Sequence, residues 1–532
     1  MASLARVTCR RLALVVLVAA WAPVAARAAD DAAPEPAAAT CPDVVTDAAV
    51  EAALAQAGDN RAELEQALAA AAAHRDPRRA PALRFLVANM PHHGYVTTAL
   101  RDAQGRDVPY DPLAYDTFAA AREALEALEK EHGTLDFARD GFASDLEHVT
   151  ASFLAHHLDA AFEAWDRTPA ARRVTWPTFL EHVLPYRGSE EPLDLWMPDL
   201  VRRYAPNVHG KRGEMPADEL WAWLAREVSS RVRFDERYYL HPTDQGFGEM
   251  GRSGLGRCED ITNMQTFAAR SLGLAVAADY TPWWAHRDNN HAWAVLLDAD
   301  GQGHTPAYAH AAKVYRKTWS LQPGALADRL PEGREAPNRF LSSRTYRDVT
   351  DQYRTVYEVP VSMEGDVARA EPFAYVAVFN GGVWRAIDHT DVVDGLATFH
   401  RLGGDVIYLP AVFPKDTLEG AAPPFLLDAE GNATVLPGTG EPVEVLLAAT
   451  RPTQRSVDTG DVTPTSSLTA GASYRLQLWR DGAWTDLRSV VGSEEPVAAA
   501  GVPADGLYRL LEPESDDLER IFTIEAGRQR FR

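Results

Sequence analysis

Cys258 stands in Gly254-Leu-Gly-Arg-Cys258-Glu-Asp260, and His291 follows in Asn289-Asn-His291-Ala-Trp293. Between them, apolar side chains recur at Ile261, Met264, Phe267, Ala268 and Leu272. That period of about 3.6 residues predicts a helix closed by Gly273, with Cys258 at its N-terminus. Unsatisfied backbone N–H groups and the helix dipole at that end favour a thiolate, the reactive form of cysteine. Residues 274–279 form a short apolar run, and 280–290 form a loop holding Pro282, Trp283 and Trp284. Residues 291–297 alternate as a strand does. A low-pKa thiol beside an imidazole is the nucleophile and base of acyl transfer. In that chemistry Cys258 attacks a carboxamide or peptide carbonyl, and His291 takes and returns the proton. The Cys258 N–H supplies half of an oxyanion hole. Gln245 is an option for the second donor, against its simpler role as a surface side chain.

Four motifs lie in order: G-x-C-x-D at 256–260, R-x-L-G at 270–273, D-x-x-P-x-W at 279–284 and H-x-W at 291–293. The set resembles the transglutaminase-like superfamily. The resemblance implies a papain-like α+β core, with the cysteine opening a helix and the histidine on the following sheet. It implies hydrolysis or transamidation of amides through a thioester, on a protein, peptide or glycopeptide, with no cofactor and no metal. Segments 179–187, 190–196 and 313–319 are similar to secreted bacterial transglutaminase-like proteins of the Bacteroidetes type.

The family usually orients its histidine with an Asp on the next strand. Here a hairpin turning at 300–301 would set residues 306–310 against His291, and none of them is acidic. Asp298 lies seven strand residues away, roughly 20 Å or more. Asp279 ends the preceding strand, and pairing would bring it beside residue 292, so it is the third catalytic candidate. Its alternative role is to cap the strand and bond the loop around Trp283. Tyr308, His310 or a backbone carbonyl are the other groups able to hold the ring. The missing Asp keeps a second class open: a catalytically degenerate module that binds glycan or protein at the cell envelope.

The surrounding elements read as an α+β multidomain chain. Arg6, Arg10 and Arg11, an apolar run at 12–20 and Ala26-Arg-Ala28 make residues 1–28 a cleavable signal peptide, so the protein is expected in the periplasm or outside the cell. Residues 29–45 are an Ala-, Asp- and Pro-rich lead-in. A helical domain is expected over 46–195 and the transglutaminase-like catalytic domain over 196–345. Two β-sandwich-like modules follow, over 346–440 and 441–532, with turns at Asn380-Gly381, Gly403-Gly404 and Asp481-Gly482. Trp384, Trp479 and Trp484 pack cores or domain junctions, or stack on sugars.

Charge narrows the partners. The formal net charge is −23, and losing a signal with four arginines and no acid takes it to −27. Such a chain lacks the basic footprint of a nucleic-acid binder. No later segment is apolar enough to span a membrane. Only Cys41 and Cys258 remain after processing, too few for a disulfide framework, and a bridge between them would silence the nucleophile. His286-Arg-Asp288-Asn-Asn-His291 has no zinc spacing, and the pairs His92-His93 and His156-His157 do not share a helix face.

Overall fold

Ala-, Leu- and Glu-rich sequence near the start of the chain folds into helices at Asp47–Gln56, Arg61–Ala72 and Arg79–Asn89, in keeping with its propensities. The computed structural model describes residues 43–208, 215–241, 243–448, 468–512 and 520–531. The expected signal segment, all but the last residues of the lead-in, and Cys41 lie outside the described residues. About 34% of the described residues are helical and 29% lie in strands, so the fold is mixed α/β with neither type dominating. Among the described residues no helix is long and apolar enough to cross a membrane.

Further helices run over Phe118–His132, Ala151–Arg167, Trp176–His182, Trp196–Val208 and Ala217–Ser229. The expectation of a purely helical 46–195 is corrected by an antiparallel pair, Gly94–Asp102 with Leu135–Ser144. A helix separates its two strands in the chain, so no local turn signal announces the pairing. The pair matters because Gly94 and Phe142 reach the candidate site.

The helix Cys258–Arg270 packs on a four-stranded antiparallel sheet. The strand order is His291–Leu296, Val276–Thr281, Tyr315–Lys317, Tyr346–Asp348. The histidine strand is therefore an edge. Residues 304–310 do not return beside it as a strand; Pro306–Tyr308 is a 3-10 turn, because Pro306 has no N–H to give a ladder. Gly273 ends the cysteine helix at φ +68°, and a Cβ there would lie 2.7 Å from the Ala164 carbonyl. Arg270 is buried and donates to the carbonyls of His182, Pro185 and Arg187. It thereby ties the 182–187 segment to the back of the cysteine helix.

Two large sheets follow. One has eight strands between Val356–Ser362 and Ala433–Val435; the other has seven, including Pro442–Leu447, Ser473–Arg480 and Arg528–Phe531. Each is one continuous ladder curled into a near-closed, barrel-like sheet, where the sequence suggested two-sheet sandwiches. Bulges at Val376/Ala377, Phe399/Leu402, Val443/Val445 and Leu476/Gln477 add the twist that curls them. Trp384, Trp479 and Trp484 pack with Phe379 and Leu409 in one apolar cluster shared by both sheets, which accounts for these indoles by packing.

Candidate functional site

Cys258 is the first residue of its helix and is buried. Asp260 fixes that start: its carboxylate accepts from Arg257 N at 2.9 Å, and from Gln245 N and Nε2 at 3.0 Å each. Gln245 is fully buried, and its Nε2 also donates to the Leu255 carbonyl. It is a structural side chain committed to the helix start, which corrects both readings of it as an oxyanion donor or a surface residue. The Cys258 N–H has no acceptor among the described residues.

The thiol is not the thiolate that its position predicts. Sγ donates to Glu259 Oε2 at 3.0 Å. Burial, then the Glu259 carboxylate, pushes the thiol up to about 12. The Ala292 N–H and the Arg257 guanidinium act the other way. The Cys258 hydrogen goes to Glu259 and not to the imidazole.

His291 opens the edge strand. Its Nε2 lies 3.1 Å from Tyr308 Oη, so Tyr308 holds the ring, and Nδ1 makes no hydrogen bond among the described residues. Burial, then Arg287, lowers the imidazole to about 4. The ladder pairs Thr281 with His291, Tyr280 with Ala292 and Asp279 with Trp293. His291 and Trp293 thus share one face of the sheet and Ala292 belongs to the other. His291 is the first residue of the edge strand. Trp284, Trp293 and Tyr308 surround it, whereas Trp283 packs on the eight-stranded sheet.

Asp279 does not orient His291. It lies opposite Trp293, one residue from the expected register, and both carboxylate oxygens are occupied. Arg316 Nε and Nη2 donate to Oδ1 and Oδ2 at 2.8 Å each, and Tyr353 Oη donates to Oδ2 at 2.7 Å. Arg316 also donates to the Gly301 and Gly303 carbonyls, in the turn after the histidine strand. A guanidinium on the adjacent strand offers a charged two-point partner that outcompetes a neutral imidazole.

The loop before His291 is held by a residue that sequence reading passed over. Asn380, in a turn of the eight-stranded sheet, donates from Nδ2 to the carbonyls of Trp284, Arg287 and Asn289 and accepts from Asn289 N. Its Asn-Gly signature marks a turn and gives no sign of this second role.

Glu259 and Ala292, the neighbours of Cys258 and His291 in sequence, line a cavity of about 570 Å³, whose lining includes neither Cys258 nor His291 themselves. Its floor is the Ala292 face of the sheet, with Ala278, Tyr280, Lys317 and Tyr346; Glu259, Thr262 and Asn263 of the cysteine helix cover it. Among the described residues no cluster of three or more His, Cys, Asp or Glu could hold a metal ion. The chain matches no protein-family model, no curated protein and no solved structure.

Proposed function

We propose that this chain is an exported cysteine-dependent acyl-transfer enzyme on a transglutaminase-like core, acting on an amide or peptide carbonyl. The observation that carries the reading is the seat of Cys258. A thiol opens a helix whose second residue, Glu259, lines a 570 Å³ cavity together with Ala292, the residue after His291, and the Ala292 N–H favours the thiolate. The four motifs support it, since each has a positioning task. Asp260 fixes the helix start, Arg270 and Gly273 dock its end, Asp279 anchors the sheet, and Trp284 and Trp293 wall the imidazole.

In this reading Nε2–H donates to Tyr308 Oη, which leaves Nδ1 as the bare, basic nitrogen. The resting pair is neutral thiol and neutral imidazole. Substrate entry breaks the Cys258–Glu259 hydrogen bond, His291 takes the thiol proton, and Sγ adds to the carbonyl. The Cys258 N–H faces the oxyanion, and the proton passes from His291 to the leaving amine. Water or a second amine then releases the thioester. The charged segment, apolar run and Ala-x-Ala signal at 1–28 support export.

One observation favours a second reading, a catalytically silent module that binds glycan or protein: the thiol is bonded to a carboxylate and held far from ionisation. An activity-based acylating probe separates the two. The enzyme is labelled at Cys258, and Cys258→Ala is not; a wild-type protein that stays unlabelled while native leaves the binding module.

A further inference from the structure

Among the described residues, the cavity has one lysine whose ammonium makes no direct hydrogen bond or ion pair, although the carboxylates of Glu190, Glu191 and Asp244 act on it from further off. Glu190 pairs with Arg339, Asp244 with Arg257 and the Ser189 hydroxyl, and Arg344 with Asp328. Glu191 accepts from Gly188 N and Ser189 N, and Glu259 takes the Cys258 hydrogen. Lys317 lines the same space, and its ammonium makes no hydrogen bond or ion pair with any described residue. Its neighbour Arg316 points through the other face to Asp279, so alternation directs Lys317 to the cavity. An ammonium removed from bulk water with no carboxylate in direct contact leaves its hydrogen-bond donors unsatisfied, and an anion that joins it relieves that cost. Burial lowers its pKa, while Glu190, Glu191 and Asp244 oppose that shift.

Register sets the reach. Arg316 pairs with Asp279, so Lys317 lies across from Ala278, whereas Ala292 lies across from Tyr280. The two residues are two strands and two positions apart on one face, about 12 Å between Cα atoms. A lysine stem laid along the sheet toward Ala292 spans about half of that, which leaves about two residues of extended peptide between the ammonium and the Cys258 end of the cavity.

We propose that Lys317 is the anion-binding group of the cavity, and that the acyl donor carries a carboxylate about two residues from the carbonyl that Cys258 attacks. The reading rests on the acyl-transfer function. It defines the substrate class as acidic peptides, the charge coming from a Glu or Asp side chain or from a free C-terminus.

Three thiol reagents test it: bromoacetyl-Gly-Glu-amide, bromoacetyl-Gly-Gln-amide, and bromoacetyl-Gly-Gln with a free C-terminus. At least one acidic reagent should modify Cys258 five-fold or more faster than the neutral amide, and saturably; which one does so identifies the source of the carboxylate. In Lys317→Gln the acidic-to-neutral ratio should fall to near one, and Lys317→Arg should restore much of it. Equal rates in the wild type, or a preference that survives Lys317→Gln, would overturn the inference. A second arm is independent of the thiol. In Cys258→Ser, acetyl-Gly-Glu-amide or acetyl-Gly-Gln with a free C-terminus should protect Lys317 from reductive methylation, and acetyl-Gly-Gln-amide should not. Protection by neither acid defeats the anion site whatever Cys258 does. Protection together with an unreactive Cys258 in the wild type defeats the acyl-transfer reading and leaves the anion site standing.

Discussion

Asn380 and Asn289 hold each other by two hydrogen bonds: Asn289 N donates to Asn380 Oδ1 at 3.1 Å, and Asn380 Nδ2 donates to the Asn289 carbonyl at 3.0 Å. Asn289 has a left-handed φ of +67°, so the peptide leading into His291 depends on an outside support. Asn380→Ala strands several partly buried backbone groups and should lower stability by about 2–4 kcal/mol. Denaturant titration measures that loss. Acylation of Cys258 should fall further than the folded fraction does, because the histidine loop loses its anchor.

Glu259 sets the thiol. Its carboxylate, after burial, disfavours the thiolate, so removing the charge lowers the thiol pKa. In Glu259→Gln the pH–rate profile of iodoacetamide alkylation should move to lower pH, from a wild-type midpoint near 12. A midpoint one pH unit lower corresponds to a thiolate fraction about ten-fold higher at neutral pH. An unmoved profile would show that Glu259 does not control the thiol.

Tyr308 fixes the imidazole. Tyr308→Phe removes the bond to Nε2 and should lower the acylation rate about ten-fold, the kinetic worth of roughly 1.4 kcal/mol. Because His291 is lowered to about 4, the base is already unprotonated above that pH. The acid limb of kcat/KM should therefore lie near pH 4 in the wild type and shift in Tyr308→Phe. A structural tyrosine would reduce stability and leave the limb in place.

Asp279 is a keystone of the sheet and stays out of the proton path. It and Arg316 are both fully buried. Asp279→Asn leaves a buried guanidinium short of its counter-charge and should destabilise the fold by about 3–5 kcal/mol. The acid limb should stay where it is, and activity per folded molecule should change little. Thermal melting and kcat/KM measured on the same sample distinguish this from an orienting carboxylate, which would shift the limb and spare the melt.

Local patterns made the site's first half legible. The apolar period at 261–272 and Gly273 mark the cysteine helix, and alternation at 291–297 marks the histidine strand, because each is set by side chains within one element. Partners across elements were not legible. Arg316 and Tyr353 reach Asp279 from 37 and 74 positions away in the chain, and Asn380 reaches the histidine loop from a different sheet. Glu259 adjoins Cys258 in sequence, yet its effect depends on burial, which a helix-start motif does not encode. The hairpin arm expected to set residues 306–310 against His291 failed at Pro306. Curling of the β ladders came from bulges, which leave no clear mark in an alternating pattern.

The most direct test of the central claim is acyl-enzyme formation, read by intact mass after acid quenching of a reaction with 4-nitrophenyl acetate. The expected result is one acetyl group per chain, located on the Cys258 peptide and released by hydroxylamine as a thioester. Cys258→Ala should take up none, and His291→Ala should acylate at least ten-fold more slowly while remaining folded. Acetylation at any other residue, no acetylation of native protein, or an undiminished rate in His291→Ala would contradict a Cys258–His291 acyl-transfer site.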